Sequence, residues 1–475
     1  MTADRRTFLS AGLGVAAAVA SRNHSPTIPA RADVTEMPSL STDRSLRTEA
    51  SADFGRLLHS EPRAVAQPAS GADIASLMRW VGNQGLKIAA RGQGHSIYGR
   101  SLSEDGIVID MSKLDAIRDL QPDRISVEAG ATWKSVLDAA LSHGMTPPVL
   151  TNYLGLSVGG TLAVGGIGGS SSRSGMQTDN VLELDVVTGD GNKITCSATS
   201  HPDVFDGVRA GLGQCGIITR ATLRLVRAPE RVRRFQLFYP DLVALIADQR
   251  LVLDQPRFDQ LQGAILPDGA GGWRYQLDGA VFYNSDRTPE DKAVLSGLSD
   301  LRSAAVIADL TWRDDALAFA KFEALLRSKG QWSNPKPWLL TFLRGTNAEQ
   351  IVREIMDGLT GADVGPFGRI TCYPMRTSAC RTPLFRLPEE NIVFPFNIIR
   401  IPPSDDAATA QRMVAQNRAL YERIRDAGGV QYPVGAFPMS HGDWSNHFGS
   451  SWPRFLEIKR RCDPANALAP GYGIF

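Results

Sequence analysis

One histidine lies within a glycine-rich stretch, RGQGHSIYGRS, that covers residues 91–101. His95 follows Gly92 and Gly94, and a neutral imidazole can act as a nucleophile. Glycine has no Cβ, so a glycine-rich backbone can approach a bound group closely and turn its N–H groups toward an anion. The stretch therefore predicts a ligand that is held by main chain and contacted by one imidazole.

A second glycine-rich stretch, SVGGTLAVGGIGG, covers residues 157–169 and continues into three serines. Neither stretch has the dinucleotide fingerprint of a Rossmann fold, because residues 92–97 read GQGHSI and lack its third small residue. Neither is a P-loop, since no Gly-Lys-Ser/Thr follows. Two such loops in one region favour an extended ligand that carries a diphosphate.

Short helices and strands must position these loops. Apolar residues at helical spacing predict a helix over residues 72–84, which Gly85 ends, and another over 132–142, which Gly144 closes. Strands are expected at 87–90, 107–110, 125–128, 181–188, 193–196 and 217–226. Asp190 and Gly191 predict a hairpin between two of these strands. Residues 54–228 are thus expected to form one α+β unit.

Composition excludes several functional classes. The chain has 475 residues and a formal net charge of +1, which favours neither nucleic acid nor an anionic membrane surface as a partner. The five cysteines are scattered and form no CxxC pair, so neither a metal site nor a disulfide framework is expected. No apolar run is long enough for a transmembrane helix.

The N-terminus has the three parts of an export signal. Arg5 and Arg6, followed by Thr-Phe-Leu, match the twin-arginine pattern. A small, weakly apolar run over residues 11–20 and an Ala-Arg-Ala cleavage site at 30–32 follow. We therefore predict a signal peptide over residues 1–32 and a periplasmic or extracellular protein. Since this route carries folded proteins, it also suggests a cofactor loaded before export.

Residues 62–228 resemble the FAD domain of the vanillyl-alcohol oxidase and p-cresol methylhydroxylase superfamily. The resemblance runs through PASGADI, RGQGHS, VIDMSKL, VEAGATW, SVGGTL and GLGQCGIIT. Within that superfamily, the run LTNYLGLSVGGTL and the endings HFGSSW and DPANALAPGYGIF are similar to cytokinin dehydrogenases.

The resemblance implies an α+β, two-domain flavoprotein of the p-cresol methylhydroxylase type. After a linker over residues 33–53, the FAD domain is expected to comprise residues 54–229 and 431–475. The inserted substrate domain, residues 230–430, is expected to be an antiparallel sheet covered by helices.

The resemblance also implies that FAD is bonded covalently through its 8α carbon to His95. A single link is expected, because the second glycine-rich stretch has no cysteine. The residues expected at the cofactor lie in the matched motifs: Arg91, Gly92, Gln93, Gly94, His95, Ser96, Arg100, Asn152, Ser157, Gly159, Gly160, Thr161, Gly165, Gly166, Gly168, Ile217, Ile218 and Tyr472. Tyr472 replaces a glutamine that is usual in the family.

Two positions depart from the family pattern. Asn152 stands where cytokinin dehydrogenases carry a carboxylate, and Gln262, in FDQLQG, stands where they carry a second acid. An amide cannot accept a proton at neutral pH, and loss of a general base costs about 10²–10⁴-fold in rate. We predict that this pair orients a polar group of a substrate other than a cytokinin.

The expected function is therefore oxidation of a small amine or alcohol by hydride transfer to flavin N5, with oxygen or a quinone-like compound as electron acceptor. Three alternatives remain: a cytokinin dehydrogenase with altered catalytic residues, a berberine-bridge-type oxidase, and a redox-inactive flavin-binding protein. No base is assigned; the groups considered for proton transfer are His441, His447, Tyr153 and Tyr472. Arg400 is favoured as a surface cation over a carboxylate-binding residue.

Overall fold

The computed structural model describes residues 40–403 and 406–475 of the chain. The predicted signal peptide, residues 1–32, lies outside these ranges. The regular structure within them consists of four β-sheets and the helices packed on the sheets. Of those helices, none combines the length and the apolar character that crossing a membrane requires.

The first region of the chain forms three of the sheets. Its strands are β1 (Leu40–Ser41), β2 (Ala64–Ala66), β3 (Ile88–Arg91), β4 (Ile107–Asp110), β5 (Ile117–Gln121), β6 (Arg124–Glu128), β7 (Met145–Thr146), β8 (Val181–Val187), β9 (Lys193–Ser197), β10 (Ile217–Arg224) and β11 (Val226–Arg227). A four-stranded sheet has the order β1–β2–β4–β3, and an antiparallel five-stranded sheet has the order β5–β6–β10–β8–β9. The third sheet is the pair β7–β11.

Helices cover these sheets and share one apolar core with them. They are α1 (Arg44–Ala50), α2 (Gly71–Gln84), α3 (Trp133–Leu141), α4 (Val158–Leu162), α5 (Ser171–Ser174) and α6 (Pro202–Val208). The predicted helices are confirmed as α2 and α3, and the predicted hairpin as β8–β9. Gly85 ends α2 with a φ of 65°, a left-handed conformation that glycine adopts without strain.

Regular structure begins earlier than the sequence predicts. The linker expected over residues 33–53 contains β1 and α1, so the expectation that order starts near Phe54 is wrong. The Asp43 carboxylate caps α1 by accepting the Ser45 N–H at 2.9 Å. Leu46 packs with Ala50 against the four-stranded sheet. Two apolar residues in a short polar segment give too weak a periodicity to reveal this helix.

The second region forms one nine-stranded antiparallel sheet. Its strands are β12 (Arg231–Tyr239), β13 (Gln260–Pro267), β14 (Trp273–Tyr283), β15 (Val306–Thr311), β16 (Leu339–Arg344), β17 (Arg369–Cys372), β18 (Met375–Arg376), β19 (Ile392–Ile399) and β20 (Val430–Gln431). The order is β15–β12–β14–β13–β17–β19–β16–β20, and β18 pairs with β19 at the side. This is the antiparallel sheet that the family resemblance implies.

Helices pack on this sheet, three of them on one of its faces. The helices of the region are α7 (Leu242–Asp254), α8 (Asp291–Val294), α9 (Trp312–Ala316), α10 (Phe319–Ser328), α11 (Ala348–Met356), α12 (Gly361–Val364) and α13 (Ala407–Asp426). Apolar side chains of α7, α11 and α13 form a core with alternate strand residues such as Ile265, Ile370 and Phe396. Because successive residues of a strand point to opposite faces, the other face is left to the intervening residues.

The C-terminal segment returns to the first region. It contains α14 (His441–Phe448) and α15 (Trp452–Cys462). The Ile88 N–H donates to the Ala467 carbonyl at 2.8 Å, and the Ala469 N–H donates to the Ile88 carbonyl at 2.9 Å. A buried Lys459–Asp463 ion pair of 2.6 Å supports the turn that follows α15. The C-terminal segment thus pairs with the first strand residue of β3.

Candidate functional site

A cavity of about 420 Å³ opens between the two glycine-rich stretches. Most of the predicted cofactor residues line it: Gly92, Gln93, Gly94, His95, Ser96, Arg100, Asn152, Ser157, Gly159, Gly160, Thr161, Gly166, Ile217, Ile218 and Tyr472. Trp338 and Tyr432, which the sequence did not single out, also line it. The structure therefore brings residues that are far apart in sequence to one ligand-sized space.

The first glycine-rich stretch is held from behind by residues of the predicted linker. The Asp53 carboxylate accepts the Gly99 N–H at 2.8 Å and the Gly55 N–H at 3.1 Å. The Phe54 N–H donates to the Gly94 carbonyl at 2.8 Å. Burial raises the pKa of Asp53 to about 6, although these hydrogen bonds oppose the shift. Sequence reasoning missed Asp53, because nothing in the local pattern marks it.

The His95 ring lies in an aromatic cluster at the cavity wall. It stacks on Phe54 with ring centroids 3.8 Å apart and an interplanar angle of 16°. Tyr153 and Trp332 lie 4.8 and 5.8 Å from it, centroid to centroid. Within the two described ranges, no side chain or main-chain group is hydrogen-bonded to the ring.

Electrostatics keep this imidazole neutral. Burial, together with the positive charges of Lys336 and Arg327, lowers the pKa of His95 to about 3. At neutral pH both ring nitrogens are thus without a charge, and one carries an available lone pair. A neutral, unengaged imidazole that faces a cavity fits the role of a nucleophile toward a bound group.

Glycines allow the two stretches to approach each other. A Cβ on Gly92 would lie 2.0 Å from Ser157 Oγ, and a Cβ on Gly159 would lie 2.8 Å from the Ala129 Cβ. Real contacts of this kind are not tolerated, so the cavity wall at these points must be bare main chain. Such a wall lets a ligand approach the main chain closely, as a diphosphate bound in a glycine-rich loop requires.

A buried cation completes this part of the wall. The Arg100 guanidinium donates to the Gly471 carbonyl at 3.3 Å, and its Nε has no partner among the described residues. Its carbon lies 4.8 Å from the Tyr472 ring centroid. Burial lowers the pKa of Arg100, which nevertheless stays protonated as arginine does. A buried guanidinium with an unused donor fits the negative charge of a diphosphate.

Three of the predicted cofactor residues support the loops from outside the lining. Arg91 folds behind Gly94 and donates to the Ala52 carbonyl at 2.9 Å. A Cβ on Gly165 would lie 2.2 Å from the Phe385 ring, and one on Gly168 would lie 2.0 Å from the Leu150 carbonyl oxygen. These residues shape the second stretch rather than face the cavity.

The two predicted amides meet although they belong to different regions of the chain. Gln262 Nε2, on β13, donates to Asn152 Oδ1 at 3.5 Å. Burial raises the pKa of the nearby Tyr373 phenol to about 12, and the Gln262 side chain opposes that shift. Asn152 lines the cavity, whereas Gln262 lies beyond it. The amides therefore link the cofactor cavity to the nine-stranded sheet.

A carboxylate that the sequence analysis missed lies next to this pair. Asp278, on β14, stands directly opposite Gln262 in the antiparallel register. Both of its oxygens accept from Gln276 Nε2, at 2.8 and 2.9 Å. Burial raises the pKa of Asp278. The alternation of polar and apolar residues in WRYQLDGAVFY is the signal that could have identified it.

The groups considered for proton transfer have other roles. His441 Nδ1 hydrogen-bonds with the Ile474 carbonyl at 2.8 Å. His447 is buried without a partner for either ring nitrogen among the described residues, and burial lowers its pKa to about 3. Burial raises the pKa of Tyr153, and that of Tyr472 to about 12, so both phenols stay protonated at neutral pH.

Arg400 is neither a surface cation nor part of the cavity. Its side chain is fully buried, Nε donates to Asn417 Oδ1 at 3.2 Å, and Nη1 donates to the Asp363 carbonyl at 2.6 Å. It ties β19 to α13, and the expectation of a surface cation is wrong.

In the described part of the chain, no three His, Cys, Asp or Glu side chains are grouped as metal ligands would be.

Comparison with known proteins places this geometry in context. A family model described as an FAD binding domain matches residues 62–197, and one described as cytokinin dehydrogenase 1, FAD and cytokinin binding, matches residues 263–475. An uncharacterized oxidoreductase of the fasciation locus of Rhodococcoides fascians is 42% identical over 431 residues, which cover 91% of this chain and 98% of that protein. Cytokinin dehydrogenases 7 and 10 of Oryza sativa subsp. japonica are 33% and 34% identical, each over 92% of this chain and over 91% and 89% of their own lengths.

Proposed function

The chain belongs to the cytokinin dehydrogenase family of FAD-dependent oxidoreductases, and from this premise we propose that it oxidises a small amine or alcohol other than a cytokinin. The observation that carries the proposal is the Asn152–Gln262 contact of 3.5 Å, which places two amides where the family pattern has acids. When bound, FAD supplies a two-electron acceptor that takes a hydride at N5.

The residues of this chain then bind and orient the substrate. Asn152 and Gln262 each present one acceptor and one donor group, so the pair can hold a hydroxyl or an amino group in place. Neither amide can take the proton that leaves with the hydride.

We propose further that FAD is bonded covalently to His95. Support comes from the neutral state of the ring, its position at the cavity, and the stacking on Phe54 at 3.8 Å that holds its plane. Acid precipitation of the purified protein tests the link. The yellow colour is expected to stay in the pellet of the wild type and to move to the supernatant in His95→Ala. A pellet of unchanged colour in His95→Ala would contradict the assignment.

A cytokinin dehydrogenase with altered catalytic residues is the second candidate. Asp278 favours it, because this carboxylate stands opposite Gln262 and could take the proton that the amides cannot. Anaerobic mixing of the protein with isopentenyladenine separates the two candidates. Bleaching of the flavin absorbance at an ordinary enzymatic rate would establish the second candidate and refute the first. Under our proposal the flavin stays oxidised with isopentenyladenine and bleaches with another amine or alcohol.

Export by the twin-arginine route belongs to the same proposal, with oxygen or a quinone-like compound as electron acceptor. A covalently held FAD cannot be lost outside the cytosol, where no pool replaces it. All five cysteines are free thiols, so the fold does not depend on disulfide formation after export. Substitution of Arg5 and Arg6 by lysine is expected to retain the flavoprotein in the cytoplasm, which cell fractionation measures.

A further inference from the structure

The face of the nine-stranded sheet opposite α7, α11 and α13 carries many polar side chains on β12, β13, β14 and β17. Strand alternation places Gln236, Gln260, Gln262, Gln276, Asp278 and Arg369 on it. The Gln262–Asn152 contact of 3.5 Å shows that this polar face is turned toward the cofactor cavity. A face so placed, and so rich in donors and acceptors, is a wall of the space in which a substrate must lie.

Arg369 differs from Arg234, a second cation on the same face. The Arg234 guanidinium pairs with the buried Asp315 carboxylate, to which Nη2 donates at 2.8 Å, and it also donates to Gln260. Arg369 is half-buried on β17, where its main chain pairs with β19, and its guanidinium has neither a hydrogen bond nor an ion pair with any described residue. The nearest charge acting on it is that of Asp278, which attracts it from beyond contact distance. The five N–H donors of this half-buried guanidinium are thus left without a partner among the described residues.

Aromatic rings connect this guanidinium to His95. The Arg369 guanidinium carbon lies 5.0 Å from the Phe322 ring centroid on α10. From there, centroid distances of 5.7 Å to Phe319, 5.5 Å to Tyr153 and 4.8 Å to His95 define a continuous row of rings. The rings are tilted against one another by 73°, 56° and 35°, so the row offers both ring faces and ring edges to an aromatic ligand between the cation and the cofactor cavity.

We propose that the substrate is an aromatic or similarly planar carboxylate, whose acid group binds Arg369. Its planar body lies along Phe322, Phe319 and Tyr153, and its amino or hydroxyl group lies at Asn152 and Gln262. This inference rests on the proposed function, since it names the substrate class of the same site. A planar guanidinium matches a carboxylate through two parallel hydrogen bonds, which gives orientation as well as affinity.

Binding of carboxylates to the flavin-loaded protein tests this assignment. Benzoate, phenylacetate and 3-phenylpropionate are titrated separately, and the visible flavin spectrum reports occupancy beside the ring. Each acid is compared with its neutral amide of the same shape. We expect saturable spectral changes with at least one acid and binding of its amide that is about 10- to 100-fold weaker, as the loss of a charged hydrogen bond predicts.

Arg369→Gln is expected to weaken binding of that acid by the same factor and to leave binding of the amide unchanged. Arg369→Lys keeps the positive charge but loses the paired N–H donors of the guanidinium. Its affinity for the acid should therefore lie between those of Arg369→Gln and the wild type. Arg224→Gln, at an exposed position on β10, is the matched control and should bind like the wild type. Flavin absorbance per protein verifies that each variant is folded and loaded.

The assignment is overturned if none of the three acids changes the spectrum saturably, if acid and amide bind equally, or if Arg369→Gln binds the acid as well as the wild type does. The isopentenyladenine experiment tests the proposed function independently of this assignment. Oxidation of isopentenyladenine would refute the proposed function, while an Arg369-dependent preference for acids would still establish the anion site.

Discussion

On the cofactor side, glycines of two stretches shape the cavity wall, whereas the opposing sheet presents side chains from four different strands. On the first side, Gly92 and Gly159 allow approaches that no Cβ would tolerate. On the second side, strand register pairs Gln262 with Asp278 and puts Arg369 on the same face of a neighbouring strand. The cofactor side is thus specified by local sequence, and the substrate side by pairing between distant segments.

This difference has a chemical consequence. A wall of backbone N–H groups recognises a phosphate whatever side chains surround it, so it can serve many reactions on one cofactor. A wall of side chains can change its ligand through one substitution, as at Asn152 and Gln262. The cofactor side therefore identifies the family, and the substrate side distinguishes its members.

The largest effect is expected from restoring acids on the substrate side. If the amides are what excludes cytokinins, Asn152→Asp combined with Gln262→Glu should raise the rate of isopentenyladenine oxidation by about 10²–10⁴-fold, the usual worth of a general base. Anaerobic flavin reduction by isopentenyladenine measures the rate in both proteins.

Gln236→Glu is the control, because it adds an acid to the same sheet face beside Asp278 but away from Asn152. No gain in the double variant, or an equal gain in the control, would mean that other parts of the wall exclude cytokinins. The residues that select the substrate would then be others than Asn152 and Gln262.

A smaller effect is expected from one methyl group on the cofactor side. A Cβ on Gly471 would lie 2.1 Å from the Gly99 carbonyl oxygen, so Gly471→Ala must push the C-terminal segment away from the first glycine-rich stretch. Overpacking of this kind costs about 1–3 kcal/mol, and the Arg100 contact to the Gly471 carbonyl would be disturbed with it. We expect a several-fold fall in flavin content, measured as the ratio of visible to ultraviolet absorbance.

Gly82→Ala provides the matched comparison for that substitution. Gly82 lies inside α2, and a Cβ there would meet nothing within 4 Å. The change should leave flavin content intact and stabilise the protein by about 0.5–1 kcal/mol, because alanine favours the helix. Equal flavin loss in both variants would show that the cavity does not depend on bare main chain at Gly471.

The same division explains what the sequence could and could not predict. The helices α2 and α3, the hairpin β8–β9 and most of the cavity lining follow from local periodicity and from motifs that are contiguous in sequence. The contact between Asn152 and Gln262 was anticipated only through family resemblance. The sequence did not predict the roles of Asp53, Asp278 and Arg369, because each role depends on residues far away in the chain.

The smallest expected effect is a pH dependence of stability that arises from Lys336. Its ammonium group is buried, donates to the carbonyls of Gln331, Trp332 and Asn334, and lies 4.9 Å from the Phe54 ring centroid. Burial lowers the pKa of Lys336 to about 7, and the nearby Arg56 adds to the shift. Its positive charge in turn helps to keep His95 neutral.

The pH dependence of stability follows from this lowered pKa. Below about pH 7 the lysine is protonated in both the folded and the unfolded chain, so the cost of burying its charge is fully present. Above that pH the folded protein releases the proton while the unfolded chain keeps it up to about pH 10.4, so the wild type gains stability as pH rises, by at most about 1.4 kcal/mol per pH unit.

Lys336→Met has no such proton to release. We therefore expect the Tm of Lys336→Met minus that of the wild type to fall steadily between pH 7 and pH 9, and to be constant below pH 6. A difference in Tm that does not change with pH would mean that this lysine keeps an ordinary pKa, and that the charge beside His95 belongs to the solvent-exposed surface rather than to the cavity wall.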